Sequence, residues 1–423
     1  MFHAIAGARS SVWPGWAKSA FIGYDKLLTN PNGRFVQASV SKVCEGSNAQ
    51  HEVEFSRVGA DGTALAEERA SFDFVVLATG SAQRGPTKPD VADSKSGVAA
   101  FEAIAAAVKD AGRITIAGGG AVGVELAFEI VKAYPKKEVT IVHSGDRLFS
   151  SRANNYFHPS LEEFAGEVKT RLEAEGVRLI LGHRVEAEGG TQVVPGVLKG
   201  AASGAPLQLR LEDGSASAGK EGASASTDLL LNARGAVPMV GPATASDWAG
   251  LKEAASGSRG GIAITKEGFV ARQTAGGAAD AGVVPLSCRL FALGDCALLD
   301  GMTRTAYQAK EAAPMLIANI KAVATALAGE EPGSAARTSL AVPSGVRLQD
   351  LKVLEPHAMI PIGNKDGMGL FPGGSRPPAF LISFIKAKDL MTAWTAGDLK
   401  ATSPALPAAP TGSYAVAEAG HAA

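Results

Sequence analysis

Three glycines at fixed spacing, Gly118-x-Gly120-x-x-Gly123, constrain this 423-residue chain more than any other feature. They follow a short apolar run at 113–117 and open a helix expected to reach about residue 132, with 138–143 as the next strand. In that setting the first glycine permits a tight turn, the second lets a pyrophosphate approach the backbone, and the third packs helix on strand. The helix start then offers free N–H groups and a positive dipole end to phosphate. The bland alternative is a glycine-rich turn with no ligand, and the strand–turn–helix order speaks against it. Leu161, Phe164, Val168 and Leu172 mark an amphipathic helix stopped by Gly176, and 177–181 reads as a third strand. Strand, helix, strand, helix, strand in this order argues an α/β fold with a parallel sheet and right-handed crossovers.

A carboxylate about 20 residues past such a motif ordinarily selects the ribose. Here the strand ends at His143, followed by Ser144 and Arg147. The missing carboxylate removes both a 2′-hydroxyl acceptor and the repulsion of a 2′-phosphate. His143 thus reads either as tolerance of NADPH, with Arg147 pairing the phosphate, or as part of an unselective solvated loop. Glu125, in the first turn of the helix, either complements the helix dipole or faces a nicotinamide ribose, and the motif context favours the ribose.

Outside this unit the chain offers strand-like runs at 35–43, 52–58 and 72–77, with a turn at Asp61-Gly62 between the last two. The third runs into Ala78-Thr79-Gly80, and Asn232-Ala233-Arg234-Gly235 ends a strand in a similar way. Such small residues suit either a close ligand or a plain turn. Leu293-Gly294-Asp295 places an aspartate where a polyhydroxyl chain can be hydrogen-bonded, or where it caps the next segment. A helix expected over 304–327 begins with Ala306 and Ala309 flanking Tyr307 and Gln308, small enough for a ring system to come close. Residues 189–227 read as a loose excursion with one hairpin near 207–211, 333–343 as a linker, 348–398 as a final module, and the tail from 401 as disordered. His3, His51, His158, His183 and His357 are isolated, and Trp13, Trp16 and Trp394 read as packing residues.

With 41 basic and 42 acidic residues, the chain presents no electrostatic case for nucleic acid or an anionic membrane. Cys44, Cys288 and Cys296 have neither relay nor zinc spacing, which fits a reducing compartment. The opening residues show no secretory pattern, and Phe2 in place of glycine offers no myristoylation site.

Taken in order, Ala78-Thr79-Gly80, Gly118-x-Gly120-x-x-Gly123-x-Glu125, Gly235-x-x-Pro238, Leu293-Gly294-Asp295 and Ala306-x-Gln308-Ala309 resemble the two-dinucleotide-binding-domain flavoproteins. More narrowly, the chain resembles the apoptosis-inducing-factor-like, ferroptosis-suppressor-type branch of FAD-dependent NAD(P)H:quinone oxidoreductases. Phe2-His3 with Pro14-Gly15 and Lys18, the run from Val139 to Ser144, Gly363-x-x-x-Gly367, and Lys386-x-Lys388-Asp389-Leu390 carry that likeness, which covers most of residues 2–395. The resemblance implies two Rossmann-like FAD/NAD(P)-binding domains plus a small C-terminal α+β module. FAD would occupy 1–110 with 236–335, NAD(P)H 111–235, and the module 336–400, before a disordered tail at 401–423. The FAD domain is expected to be incomplete, because no glycine-rich unit or FAD-ribose acid precedes Phe2.

The same likeness implies that hydride passes from NAD(P)H to flavin and electrons then pass to a quinone-like acceptor. Carried over by position, Thr79 and Gly80 pack beside FAD, Gly294 and Asp295 meet its ribityl chain, and Lys18 and Gln308 lie near the ring as catalytic residues. Gly118, Gly120, Gly123, Glu125 and His143 hold NAD(P)H, and Gly235 lines the cofactor sites. A cytoplasmic setting, with peripheral contact to a membrane, is the matching expectation. Two rival readings are a disulfide or ferredoxin-type reductase, disfavoured by the lack of a close cysteine pair, and a non-catalytic NAD(P)H-binding protein.

Overall fold

The computed structural model describes residues 2–24, 28, 32–47, 49–59, 63–83, 85–91, 93–150, 158–200, 205–213, 224–256, 260–273, 283–331, 333–401, 403 and 405–407. They fall into two compact units: residues 1–34, 83–235 and 355–423 form the first, and 35–82 with 236–354 the second. These units cut the chain differently from the expected domains, because the described residues of 1–34, 83–110 and 355–407 pack with 111–235. The core explains why. Phe101, Ile104 and Val108 of the helix Ser94–Asp110 share one apolar cluster with Trp13, Trp16, Ile114, Ile116 and Ile360.

In the first unit the sheet runs Thr191–Val194, Val197–Lys199, Leu229–Asn232, Arg113–Ala117, Glu138–His143, Arg178–Leu181. The last four are parallel, as expected. Arg113–Ala117 lies at the centre and is buried along nearly its whole length, which suits a strand covered on both faces. The helices Ala121–Ala133 and Pro159–Ala174 supply the crossovers. The described residues of the excursion at 189–227 carry more strand than its composition suggests. Leu207–Asp213 is the middle strand of an antiparallel sheet with Ser224–Thr227 and His183–Glu188. Its alternating Leu207, Leu209 and Leu211 are all buried, the period-two pattern of a half-buried strand. A hairpin, Ala358–Ile362 with Asp366–Leu370, represents the expected final module.

The second unit contains a meander of Ala38–Glu45, His51–Val58 and Ala64–Phe72. The run expected as one strand at 72–77 breaks at Asp73-Phe74, and Val75–Leu77 instead pairs in parallel with Leu290–Ala292. The turn Asp61-Gly62 and most of the tail lie outside the described residues. The helix Ala306–Ala328 is capped by Thr305, whose Oγ1 accepts from the Gln308 N–H at 3.1 Å. By length and composition alone this helix could cross a membrane. Its Asn319, however, is buried and donates to the carbonyls of Glu267 and Gln349.

His51 gives the second unit a pH dependence. It is fully buried, stacks on Trp248 at 5.2 Å, and its Nε2 lies 3.1 Å from Ser287 Oγ. Burial, aided by the Arg289 charge, pushes its pKa down from 6.5 to about 4. The unfolded chain therefore binds a proton that the folded one refuses between those values, and stability falls as pH drops through that window. The effect amounts to at most about 3 kcal/mol. Urea midpoints measured from pH 7 to pH 4 should fall accordingly, and His51→Phe should flatten the profile. An unchanged slope in that variant would assign the dependence to other groups.

Candidate functional site

The glycine motif turns as its spacing demands, and each glycine has its own reason. Gly118 sits at φ +120°, and a Cβ there would come within 2.6 Å of the Ala233 carbonyl oxygen. At Gly123 a Cβ would lie 1.9 Å from the Gly118 carbonyl oxygen, so only glycine lets the helix seat against the turn. Gly120 caps the helix Ala121–Ala133, and a Cβ there meets nothing within 4 Å. The open space above Gly120 and the helix N-terminus is where a pyrophosphate fits.

His143 closes the turn from the next strand. Its Nδ1 accepts from the Gly119 N–H at 3.1 Å, and Nε2 lies 3.2 Å from Ser150 Oγ, which itself donates to the Arg147 carbonyl at 2.6 Å. An accepting Nδ1 puts the proton on Nε2. Burial lowers the imidazole pKa, which keeps that neutral form. Arg147 pairs with Glu162 at 2.7 Å.

One turn inside the helix, Glu125 is buried, and burial raises its pKa against the pull of Lys386. Lys386 Nζ donates to Glu125 Oε1 and to the Met359 carbonyl, both at 2.7 Å. Lys386 was legible as part of a family-like run but not as a partner for Glu125. The two residues are 261 positions apart, and only the packing of the C-terminal hairpin and helix joins them.

In the second unit, the parallel strands Val75–Leu77 and Leu290–Ala292 lead into two left-handed glycines, Gly80 at φ +70° and Gly294 at φ +78°. Ser81 Oγ donates to Asp295 Oδ2 at 2.7 Å, and the Met239 N–H donates to the Gly80 carbonyl at 2.9 Å. Thr79 Oγ1 donates to the Met239 carbonyl. A Cβ at Gly80 meets nothing within 4 Å, and one at Gly294 only Ala309 at 3.9 Å. Open space over both strand ends, beside a half-buried carboxylate, fits the sugar-alcohol portion of FAD.

Thr79, Gly80, Gly294 and Asp295 thus come together in the second unit, and Gly118, Gly120, Gly123, Glu125 and His143 in the first. Gly235 lies exposed, with free space around its Cα. The two residues expected to be catalytic lie in different units. Lys18 sits in the short helix Trp16–Ala20 and is exposed. Gln308 is buried and committed to backbone: Nε2 donates to the Lys352 carbonyl at 2.8 Å and Oε1 accepts from the Leu354 N–H at 3.0 Å. Its amide braces residues 352–354.

Among curated proteins, the chain is 36% identical over 194 residues to apoptosis-inducing factor homolog A of Dictyostelium discoideum, a match covering 44% of this chain and 42% of that protein. It is 33% identical over 184 residues to human ferroptosis suppressor protein 1, covering 43% of each. The matched region thus spans less than half the length of these relatives. A solved engineered water-forming NADPH oxidase, bound to NADPH, overlays with a TM-score of 0.48 at 17% identity, covering 87% of this chain and 66% of its own. The family model described as pyridine nucleotide-disulphide oxidoreductase matches residues 33–316, about two thirds of the chain and part of both units. The chain belongs to the pyridine nucleotide-disulphide oxidoreductase family.

Proposed function

We propose that the protein takes hydride from NAD(P)H onto FAD and delivers the electrons to a quinone-like acceptor, in the cytoplasm and peripherally to a membrane. The observation that carries the dinucleotide half is the open approach to Gly120 at a helix N-terminus whose other two motif glycines are sterically required. FAD, when bound, supplies the hydride and electron chemistry. The residues themselves bind and orient. The N–H groups at the start of Ala121–Ala133 meet the pyrophosphate, and Gly120 lets it approach. Glu125, held by Lys386, offers a fixed acceptor to the nicotinamide end. Asp295, held by Ser81, offers another to the FAD sugar alcohol. The motif resemblance to the ferroptosis-suppressor-type branch implies the quinone-like acceptor, and Cys44, Cys288 and Cys296 are each free and buried. An absorbance spectrum of the purified chain, followed by NAD(P)H oxidation with a soluble quinone, tests this directly. A flavin-free chain that still binds NADPH would favour the non-catalytic reading instead.

Gly120→Val should cost no more than about 1 kcal/mol of stability, the loss of a favoured helix cap, since a Cβ there meets open space. It should also weaken NAD(P)H binding by at least about tenfold. Gly123→Ala should instead destabilise the fold by about 1–3 kcal/mol. Normal NADPH affinity in Gly120→Val would reduce the motif to a turn.

The non-acidic His143 should let NADPH serve at least as well as NADH, read as the ratio of kcat/KM values. A preference for NADH on the order of 100-fold, about 2.7 kcal/mol, would overturn this. His143→Asp should move the ratio toward NADH.

A further inference from the structure

Arg9 is the most deeply buried cation described, and all of its donors are used. Nε and Nη2 donate to Glu129 Oε1 at 3.1 and 2.7 Å, and Nη2 also donates to the Gly363 carbonyl at 2.7 Å. Nη1 donates to the Ala387 carbonyl at 2.7 Å and to that of Lys388 at 3.4 Å. The guanidinium lies against the rings of Trp13 and Trp16, 4.8 and 5.5 Å from their centroids. Arg9 and Glu129 are both fully buried. Glu129 lies one helical turn beyond Glu125 on the helix Ala121–Ala133, and Ala387, whose carbonyl Arg9 holds, directly follows Lys386, so the two ion pairs reach the same helix one turn apart.

We propose that Arg9 is a positioning residue for the Glu125–Lys386 pair. It latches the carbonyls of residues 363, 387 and 388 onto the glycine-motif helix, so that Lys386 Nζ is delivered to Glu125 and fixes its carboxyl group toward the nicotinamide end of the dinucleotide. A lysine at position 9 lacks the planar fork needed to reach these acceptors together. The inference rests on the dinucleotide reading given above.

The test uses the full 423-residue chain and NADPH binding followed by nucleotide fluorescence from pH 5 to pH 9. Arg9→Met alone leaves Glu129 buried without its cation and can unfold the core. The measured variants are therefore Arg9→Met/Glu129→Leu, which removes both charges, and Arg9→Lys, which keeps a cation. Both should bind NADPH more weakly, by about tenfold in the first and less in the second. In both, the acid-side midpoint of binding should move to higher pH, because a buried Glu125 released by Lys386 takes up a proton more readily. Lys386→Met should do the same. Combined with Arg9→Met/Glu129→Leu it should add little, since both act on one interaction. A purely structural Arg9 predicts lower melting temperatures with the NADPH affinity and its pH midpoint unmoved, or losses that add to that of Lys386→Met, and either result overturns the proposal. Gly120→Val separates the layers. If it leaves NADPH binding intact, the dinucleotide reading fails and the proposal with it. If it abolishes binding while Lys386→Met changes nothing, only the positioning role is lost.

Discussion

The approach of Gly123 to the Gly118 carbonyl sets the geometry of the first unit. It seats the helix Ala121–Ala133 so tightly that residues 123–131 are all buried. A helix covered on every side is ordinarily apolar, yet this one carries Glu125 and Glu129 into the interior. Buried carboxylates persist only with partners, and the partners come from both flanks of the sequence: Arg9 from 120 positions before Glu129 and Lys386 from 261 after Glu125. The requirement to neutralise one helix thus draws residues 1–34 and 355 onward into the unit that carries the glycine motif.

The same helix shows how sequence and structure divide the information. Its start, its parallel strands and the open approach at Gly120 follow from local spacing, because turn sterics and a 3.6-residue period act within a few residues. The three-stranded sheet around Leu207–Asp213 was half hidden by glycine and serine, although its alternating leucines were present to be read. Two acids inside an apolar helix were also a visible signal that cations must come from elsewhere, but nothing local says which ones. Lys18 and Gln308 show the complementary limit. Position in a motif says where a residue lies along the chain, whereas exposure of Lys18 and the two backbone bonds of Gln308 depend on what else packs nearby.

His143 joins the selectivity position to the phosphate turn. A carboxylate there would repel a 2′-phosphate, whereas a neutral imidazole accepts the Gly119 N–H and holds the loop through Ser150. This arrangement keeps one turn donor occupied without adding negative charge, and it ties the shape of the phosphate turn to an uncharged ring. The non-acidic strand end is therefore better understood as a brace of the turn than as an unselective loop.

The family name includes disulphide reduction, and the three cysteines described in this chain are built into its packing. A dithiol relay needs two sulfurs close enough to join at about 2.05 Å and a thiolate able to attack. Cys44, Cys288 and Cys296 are each free and buried. Burial raises the thiol pKa of Cys44 and Cys288, disfavouring the nucleophilic form. Cys296 follows Asp295 but donates its S–H to the carbonyls of Leu77 and Leu293 at 3.3 and 3.4 Å, tying the two strand ends together. Its sulfur thus stabilises the strand-end site rather than carrying electrons away from it. Among the described residues the three sulfurs are spent on packing and on backbone contacts rather than on one another.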